Sequence, residues 1–349
     1  MNEYRQTTIN TPTGPLPQVS SPLTLSDRWG AFKVRWGIGR MNFLVEPGLY
    51  ALGEPNRESE ILVTANYRMT FDHLRSTLSG HDAWILVLDT RGINVWCAAG
   101  KGTFGTEELA SKVKATGLAE IVDHRRLIVP QLGAVGIAAH KVKELSGFTV
   151  LYGPVEARDI NAYLANGLRA SPDMRRKAFP VRDRAVLIPM ELVPALKYAF
   201  LATAAMALLA GIIGPGYFLP DMLRFGAIAG ASLLAGVAAG AVLVPLLLPW
   251  VPGRAFSLKG LWTGIAAALL VSGLLYRATG SAGFALPWMV MIPVVSSFLA
   301  MNFTGSSTYT SLSGVRKEMR VAVPLQAAGS VLGIILWLGI ILIGNGGAV

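Results

Sequence analysis

The chain has 349 residues, 52% of them hydrophobic and only 15% charged, with a mean hydropathy of +0.47, a formal net charge of +10 and a pI near 9.9. Soluble domains carry about a quarter charged residues, so this composition excludes both an ordinary cytosolic enzyme and a disordered chain. The single cysteine, Cys97, excludes an intramolecular disulfide, a four-cysteine zinc site and an iron–sulfur cluster held by this chain.

The charges are unevenly placed. After Pro194 there are 8 Lys and Arg and only two acids, Asp221 and Glu318, against 23 basic and 19 acidic residues before it. The high pI therefore owes much to basic residues that flank apolar runs, and it does not point to nucleic acid. Four regions are expected: a lead-in over 1–27, an α/β domain over 28–168, a basic juxtamembrane linker over 169–194, and a membrane domain over 195–349.

Residues 1–27 are polar and rich in Pro, Ser and Thr, with no apolar core, so they read as a flexible lead-in and as neither a signal peptide nor a span. Residues 29–55 are aromatic and Gly-rich and are expected to add strands or a lobe. From residue 61 the pattern alternates. Strands are predicted over 61–64, 83–88, 127–129 and 148–152. Helices are predicted over 70–78 (Phe71, Leu74 and Leu78 on one face), 106–116 (opened by a cap at Thr106), 137–145 and 157–164. Near-continuous apolar strands alternating with helices predict a Rossmann-like α/β fold, a parallel sheet covered on both faces. In such sheets ligands sit outside the carboxyl ends of the strands. The loops there are 64–69, 89–105, 130–136 and 153–154, and position alone nominates Thr64, Asn66, Thr70, Gln131, Gly133 and Gly153.

After Pro194 the uncharged runs allow five transmembrane helices near 195–215, 225–249, 258–277, 283–303 and 323–344, since about 20 apolar residues cross the hydrocarbon core. The hydroxyl-rich segment 305–314 closes the fourth. Small residues at Gly226, Gly230, Gly236 and Gly240 favour close helix packing in lipid. Arg175, Arg176, Lys177, Arg182, Arg184 and Lys197, then Arg254 and Lys259, then Arg316, Lys317 and Arg320, fall on one side. Arg224 and Arg277 fall on the other. The positive-inside rule then predicts a multi-pass protein of the cytoplasmic membrane, with the N-terminal domain cytoplasmic and the C-terminus outside. No span has an ionisable residue in its interior, and Met289, Met291 and Met301 read as packing, so this half is expected to anchor or dock and not to transport.

The loop after the 83–88 strand contains Asn94-Val-Trp-Cys-Ala-Ala-Gly-Lys101. Gly100–Gly105 formally matches G-x-G-x-x-G but begins well after the strand end, which makes a dinucleotide fingerprint weak there. The neutral reading of Cys97 is a small buried hydrophobe. A short helical piece would instead place it one turn after Asn94, on the same face.

This eight-residue segment resembles the cap-helix signature of the mercury-methylating corrinoid protein family (HgcA), and the five-span tail matches that family's architecture. Residues from about 29 to about 167 also resemble the corrinoid-binding domain of the large subunit of the corrinoid iron–sulfur protein. The resemblance implies cobalamin bound base-off, with Cys97 as lower axial ligand of cobalt. It also implies a cap of Asn94, Val95, Trp96, Ala98, Ala99 and Gly100 facing the corrin. Lys101, Gly102 and Thr103 follow, either contacting cobalamin amides or phosphate or serving only the helix geometry. None of His73, His81, His124 and His140 lies in a D-x-H-x-x-G motif, which disfavours histidine ligation.

The implied activity is methyl transfer from methyl-cobalt(III) to mercury(II). Mercury(II) has no electrons to give and must receive the methyl as a carbanion equivalent or a radical. A thiolate trans to the methyl polarises the bond toward carbon. Cobalt must then be reduced before it takes another methyl from a donor such as methyltetrahydrofolate or its corrinoid carrier. With one cysteine in the chain, those electrons imply a two-cluster [4Fe-4S] ferredoxin-like partner (HgcB type). Two alternatives stay open: a corrinoid methyl carrier for another acceptor, and a nucleotide-sensing membrane protein.

Overall fold

The computed structural model describes residues 5–306 and 312–343; residues 307–311 of the hydroxyl-rich segment and the C-terminal residues 344–349 lie outside them. The chain divides into two compact units, Met1–Val34 with Ile38–Ala178, and Arg35–Gly37 with Phe179–Val349.

The N-terminal part runs β1 (Arg5–Thr11), β2 (Gly14–Val19), α1 (Leu25–Arg35), β3 (Gly48–Leu52), β4 (Ile61–Ala65), α2 (Arg68–Thr77), β5 (Ala83–Leu88), α3 (Val95–Lys101), α4 (Thr106–Ala115), α5 (Leu118–Ile121), β6 (Arg126–Val129), α6 (Ala139–Ser146), β7 (Thr149–Tyr152) and α7 (Ile160–Ala165). One sheet of seven strands has the order β1-β2-β3-β5-β4-β6-β7. The four strands β5, β4, β6 and β7 are parallel, as expected. The sheet as a whole is mixed, which corrects the all-parallel expectation: β3 runs antiparallel to β5, and β1 antiparallel to β2. Strand–helix alternation starts only at residue 61, so it covered only the parallel part.

A second correction concerns the lead-in, where residues 5–19 form a hairpin. Its turn uses Gly14 at φ +114°, a value that suits glycine. Ile9 pairs with Leu16, and both pack on the core beneath the sheet. The Pro and Thr content conceals this two-residue alternation. Within the 29–55 stretch, residues up to Arg35 are helix α1 and Gly48–Leu52 is β3.

Along the central strands, alternate residues enter two cores. Ile61, Val63, Trp84, Leu86, Leu127 and Val129 pack with α3, α4 and α6. Leu62, Ile85, Val87 and Ile128 pack with α2 and α7. Burial on both faces is why the strands read as continuous apolar runs.

Helix α1 opens with a capping box: the Asp27 carboxylate accepts from Thr24 N–H (2.9 Å) and Thr24 Oγ1 accepts from Asp27 N–H (3.1 Å). The same carboxylate joins a buried ionic cluster, accepting from Arg75 Nη2 (2.7 Å) and Arg68 Nη2 (2.5 Å). Asp72 accepts from both arginines in turn, at 3.0 and 2.8 Å. Arg75 also donates to the Ser20 and Pro22 carbonyls, which ties the N-terminal segment to α2.

The C-terminal unit contains α8 (Val181–Ile213), α9 (Phe218–Val237), a π-helical turn Ala238–Leu243 leading into α10 (Val244–Leu247), α11 (Phe256–Thr279), α12 (Leu286–Asn302) and α13 (Leu312–Ile343). Among the described residues, five stretches are long and apolar enough to cross a membrane: Val181–Ile213, Phe218–Leu247, Phe256–Thr279, Gly283–Gly305 and Ser313–Leu342. The first starts well before the expected residue 195, because Pro189 and Pro194 lie inside the helix without ending it. The π turn sits just ahead of Pro245, whose ring and missing N–H a regular helix does not accommodate. Glycines bring α12 close to its neighbours. A Cβ on Gly240 or Gly260 would lie 2.5 Å from the Ser296 carbonyl, and one on Gly264 would lie 2.6 Å from Pro293 Cα.

Candidate functional site

Strand order reverses at β4. The chain leaves β4 through α2 to β5 on one side, then crosses through α3 and α4 on the opposite face to reach β6 on the other. The carboxyl ends of β4 and β6 therefore bound a topological switch point, the place where open α/β sheets bind ligands. Helix α3, which carries Cys97, follows β5 directly and packs against the end of β4 and the Gln131–Gly133 turn after β6.

The helix itself is dictated locally. The Asn94 side chain caps it by accepting from the Cys97 N–H at 3.0 Å. Gly102, at φ +82°, ends it in a left-handed cap. The N–H groups of Gly102, Thr103 and Phe104 donate to the Ala98 and Ala99 carbonyls. Those three amides are therefore engaged at the end of the helix. The formal G-x-G-x-x-G thus runs from the last turn of α3 to Gly105, the N-cap of α4.

Burial splits α3 into two faces. Val95, Ala98 and Ala99 turn inward into the core beneath the sheet end. The small size of Ala98 and Ala99 lets the helix sit close to the sheet. The outward face carries Trp96, Gly100 and Lys101, all exposed, and the half-buried thiol of Cys97. Nothing lies within 4 Å of where a Gly100 Cβ would point. The outer surface beside the thiol is therefore open, with one aromatic and one cationic side chain on the same face.

Asn66, at the end of β4, holds the loop that delivers α3. Its Oδ1 accepts from Thr90 N–H (3.1 Å), Thr90 Oγ1 (2.8 Å) and Gly92 N–H (2.9 Å), and its Nδ2 donates to Asp89 Oδ1 (3.2 Å). Asn66 is thus a buried bracket and not a surface contact. Thr64 is also enclosed in the sheet, at 1% exposure. Thr70 lies half-buried in the first turns of α2. Gln131 Oε1 accepts from Arg175 Nη1 at 2.6 Å. Gly133 is packed beneath Phe104, and Gly153 continues the β6–β7 pairing through its N–H to the Val129 carbonyl. Among the six strand-end nominations, Thr64, Asn66 and Gly133 are buried, and position at a strand end does not say which way a side chain points.

Sequence reasoning missed Thr90 and Gly136 and read Thr106 only as a helix cap. A Cβ on Gly136 would lie 2.2 Å from the Phe104 carbonyl and 3.1 Å from Ala99 Cα, so the loop after β6 runs directly along α3. Thr106 Oγ1 accepts from Ala138 N–H at 2.9 Å and clamps that loop; the helix cap expected there is provided by Gly105 instead. The only local signal was a glycine in a strand-end loop.

Residues 39–164 match a family model, CdhD, described as CO dehydrogenase/acetyl-CoA synthase delta subunit. The acetyl-CoA decarbonylase/synthase complex subunit gamma of Methanopyrus kandleri is 31% identical over 122 residues, covering 34% of this chain and 26% of that protein. The Archaeoglobus fulgidus subunit of the same name is 32% identical over the same shares. The corrinoid/iron-sulfur protein large subunit of Moorella thermoacetica is 32% identical over 121 residues, 34% of this chain and 27% of that protein. The chain thus spans about a quarter of the length of the curated relatives it matches, and the matched segment holds the sheet from β3 onward together with α3.

Proposed function

We propose that this protein is a membrane-anchored corrinoid methyltransferase in which Cys97 holds the cobalt and mercury(II) accepts the methyl group. The observation that carries the reading is the placement of the one thiol. It lies half-buried on the outward face of a capped helix at the switch point of a sheet homologous to one in a protein named for its corrinoid. Two features support such a group: the space over Gly100 is open, and Cys97, on the same face three residues earlier, is the one cysteine in the chain.

A bound corrinoid would supply a cobalt centre that carries the methyl group and passes it to the soft metal ion. The residues of this chain do the rest. Cys97 would hold the cobalt through its Sγ, a strongly electron-donating ligand that would favour release of the methyl group to a soft acceptor. Asn94 fixes the turn on which that sulfur stands, and Asn66 fixes the loop before it. Trp96 and Lys101 share the outward face of the helix, placed to pack against the ring and to meet its polar periphery. Low-potential electrons come from a two-cluster ferredoxin-like partner, because this chain has no cluster ligands. The five apolar helices hold the unit at the cytoplasmic membrane.

The decisive experiment pairs a visible spectrum of the anaerobically purified protein with methylmercury formation by Cys97→Ala and the unaltered chain at matched protein level. A corrin spectrum, and loss of methylmercury in the variant, are expected. Methylmercury from Cys97→Ala overturns cysteine ligation, and absence of a corrin spectrum overturns the cofactor. One specific observation favours a second reading, a methyl carrier for a different acceptor: the relatives are named as subunits of acetyl-CoA complexes. A corrinoid-loaded protein that leaves mercury(II) unmethylated while methylating a carbon-pathway acceptor would establish that reading instead.

A further inference from the structure

Helix α1 is amphipathic in an unusual sense. Asp27, Gly30 and Val34 form its buried face, and Gly30 lies against the Phe43 ring with no room for a Cβ. At about 100° per residue, Leu25, Trp29 and Phe32 stack on the opposite side, where Leu25 is 83% and Trp29 59% exposed. The rings of Trp29 and Phe32 stack on each other at 5.2 Å, which makes a continuous apolar stripe. Arg28 and Lys33, both exposed, border that stripe on either side. Just past the helix, Ile38 and Met41 are 61% and 70% exposed.

A contiguous apolar patch rimmed by polar residues marks an interaction surface. Its composition selects the partner. Trp, Phe and Leu on one face with Lys and Arg beside them is the pattern of helices that lie in the plane of a bilayer surface, with rings at headgroup depth and cations on anionic lipid. A docking protein would match the stripe but would not by itself call for cations on both flanks. We propose that α1 is a lipid-contacting helix, its Leu25–Trp29–Phe32 stripe set into the headgroup region of an anionic bilayer and Arg28 and Lys33 on lipid phosphates. This rests on the reading that the five apolar helices span that bilayer, and it adds a second, peripheral contact made by the sheet-bearing unit itself.

The test uses the full chain in nanodiscs of phosphatidylcholine and phosphatidylglycerol, in a Cys97→Ala background. One nitroxide-labelled cysteine is placed at a time by Leu25→Cys, Trp29→Cys, Phe32→Cys, Arg28→Cys or Lys33→Cys. Oxygen, which enters lipid, and a nickel chelate, which stays in water, then compete as collision partners. The oxygen-to-nickel ratio should be about fivefold higher at the three stripe positions than at the two flanks, following the helical period. Replacing phosphatidylglycerol by phosphatidylcholine should weaken the contact by about fivefold per cation, from roughly 1 kcal/mol each. Stripe positions open to nickel overturn the proposal, as do stripe positions closed to both reagents, which would mean a protein cover. A label at Leu270→Cys, on an exposed face of α11, separates the two readings. Nickel access there too overturns the bilayer reading itself, whereas nickel access at the stripe alone overturns only the role of α1. Quenching of Trp29 by brominated lipid, taken as the difference between the unaltered chain and Trp29→Phe, gives the same answer without a cysteine.

Discussion

Asn66 connects two strand ends through four hydrogen bonds, so its removal has a defined cost. Asn66→Ala strands the buried Thr90 and Gly92 amides and should destabilise the N-terminal unit by about 2–4 kcal/mol, read as a lower urea midpoint. If the proposed function holds, corrinoid content of the purified protein falls with it. Asn66→Asp keeps the acceptor but loses the donor and sets a second carboxylate against Asp89, and should be nearly as damaging. That Asn94 and Cys97 share one helical turn was legible, because they lie three residues apart. The Asn66–Thr90 pairing was not, because it exists only once β4 and β5 lie side by side.

The ionic cluster behind α1 makes a prediction about pH. Burial opposes charge on Asp27, but the Thr24 amide and Arg75 outweigh it and hold its carboxyl below the usual carboxylate range. At Asp72 burial prevails over Arg68 and Arg75, and the carboxyl is raised. A depressed acid contributes stability above its unfolded pKa near 3.9, and loses it as pH falls through the folded value. A raised acid does the reverse. Asp27→Asn should therefore cost more at neutral pH than Asp72→Asn and should flatten the acid end of the stability curve. Thermal melts of both variants between pH 7 and pH 3 check the order, and equal costs would contradict it.

Two glycines beside α3 separate packing from function at the level of the helix. Gly136→Ala pushes a Cβ into the Phe104 carbonyl and should cost about 1–3 kcal/mol by overpacking. Gly100→Ala meets nothing and replaces a helical glycine, so it should stabilise the unit by up to about 1 kcal/mol. On the corrinoid reading the same methyl group occupies the open patch over Gly100 and lowers corrinoid content, which would make Gly100→Ala more stable and less loaded at once. A stable Gly100→Ala protein with full corrinoid content would argue against the patch. Elements from residue 61 onward were readable because each apolar strand is followed by a helix with one apolar face. Strand direction was not, since nothing in Gly48–Leu52 tells β3 to run antiparallel to β5. The inward face of Ala98 and Ala99 was not legible, because a seven-residue helix has too few turns to show a periodic face in sequence.

For the whole molecule, the five apolar helices emerged from composition alone, because lipid demands length and apolarity and little else. Their ends were less legible: Pro189 and Pro194 resemble stops, yet α8 continues through both. The proposed orientation has a direct check in sealed vesicles, again without Cys97. A cysteine placed by Tyr217→Cys should react with an impermeant maleimide from the outer side, and one placed by Arg316→Cys only from the cytoplasmic side. The opposite pattern would invert the topology and with it the access of a cytoplasmic electron donor.

The hairpin β1–β2 bears on where the N-terminal unit can be cut. Its compositional border near residue 28 invites truncation there, but that cut deletes the strand paired to β3 through Gln18 and Val19, together with the acid that neutralises Arg75. The shortened fragment would present β3 as a bare, apolar rim open to self-pairing, and an arginine with only one of its two carboxylates. Trimmed material of that kind is expected to precipitate for reasons unrelated to mercury or cobalt, so a negative assay on it would carry no information about the thiol.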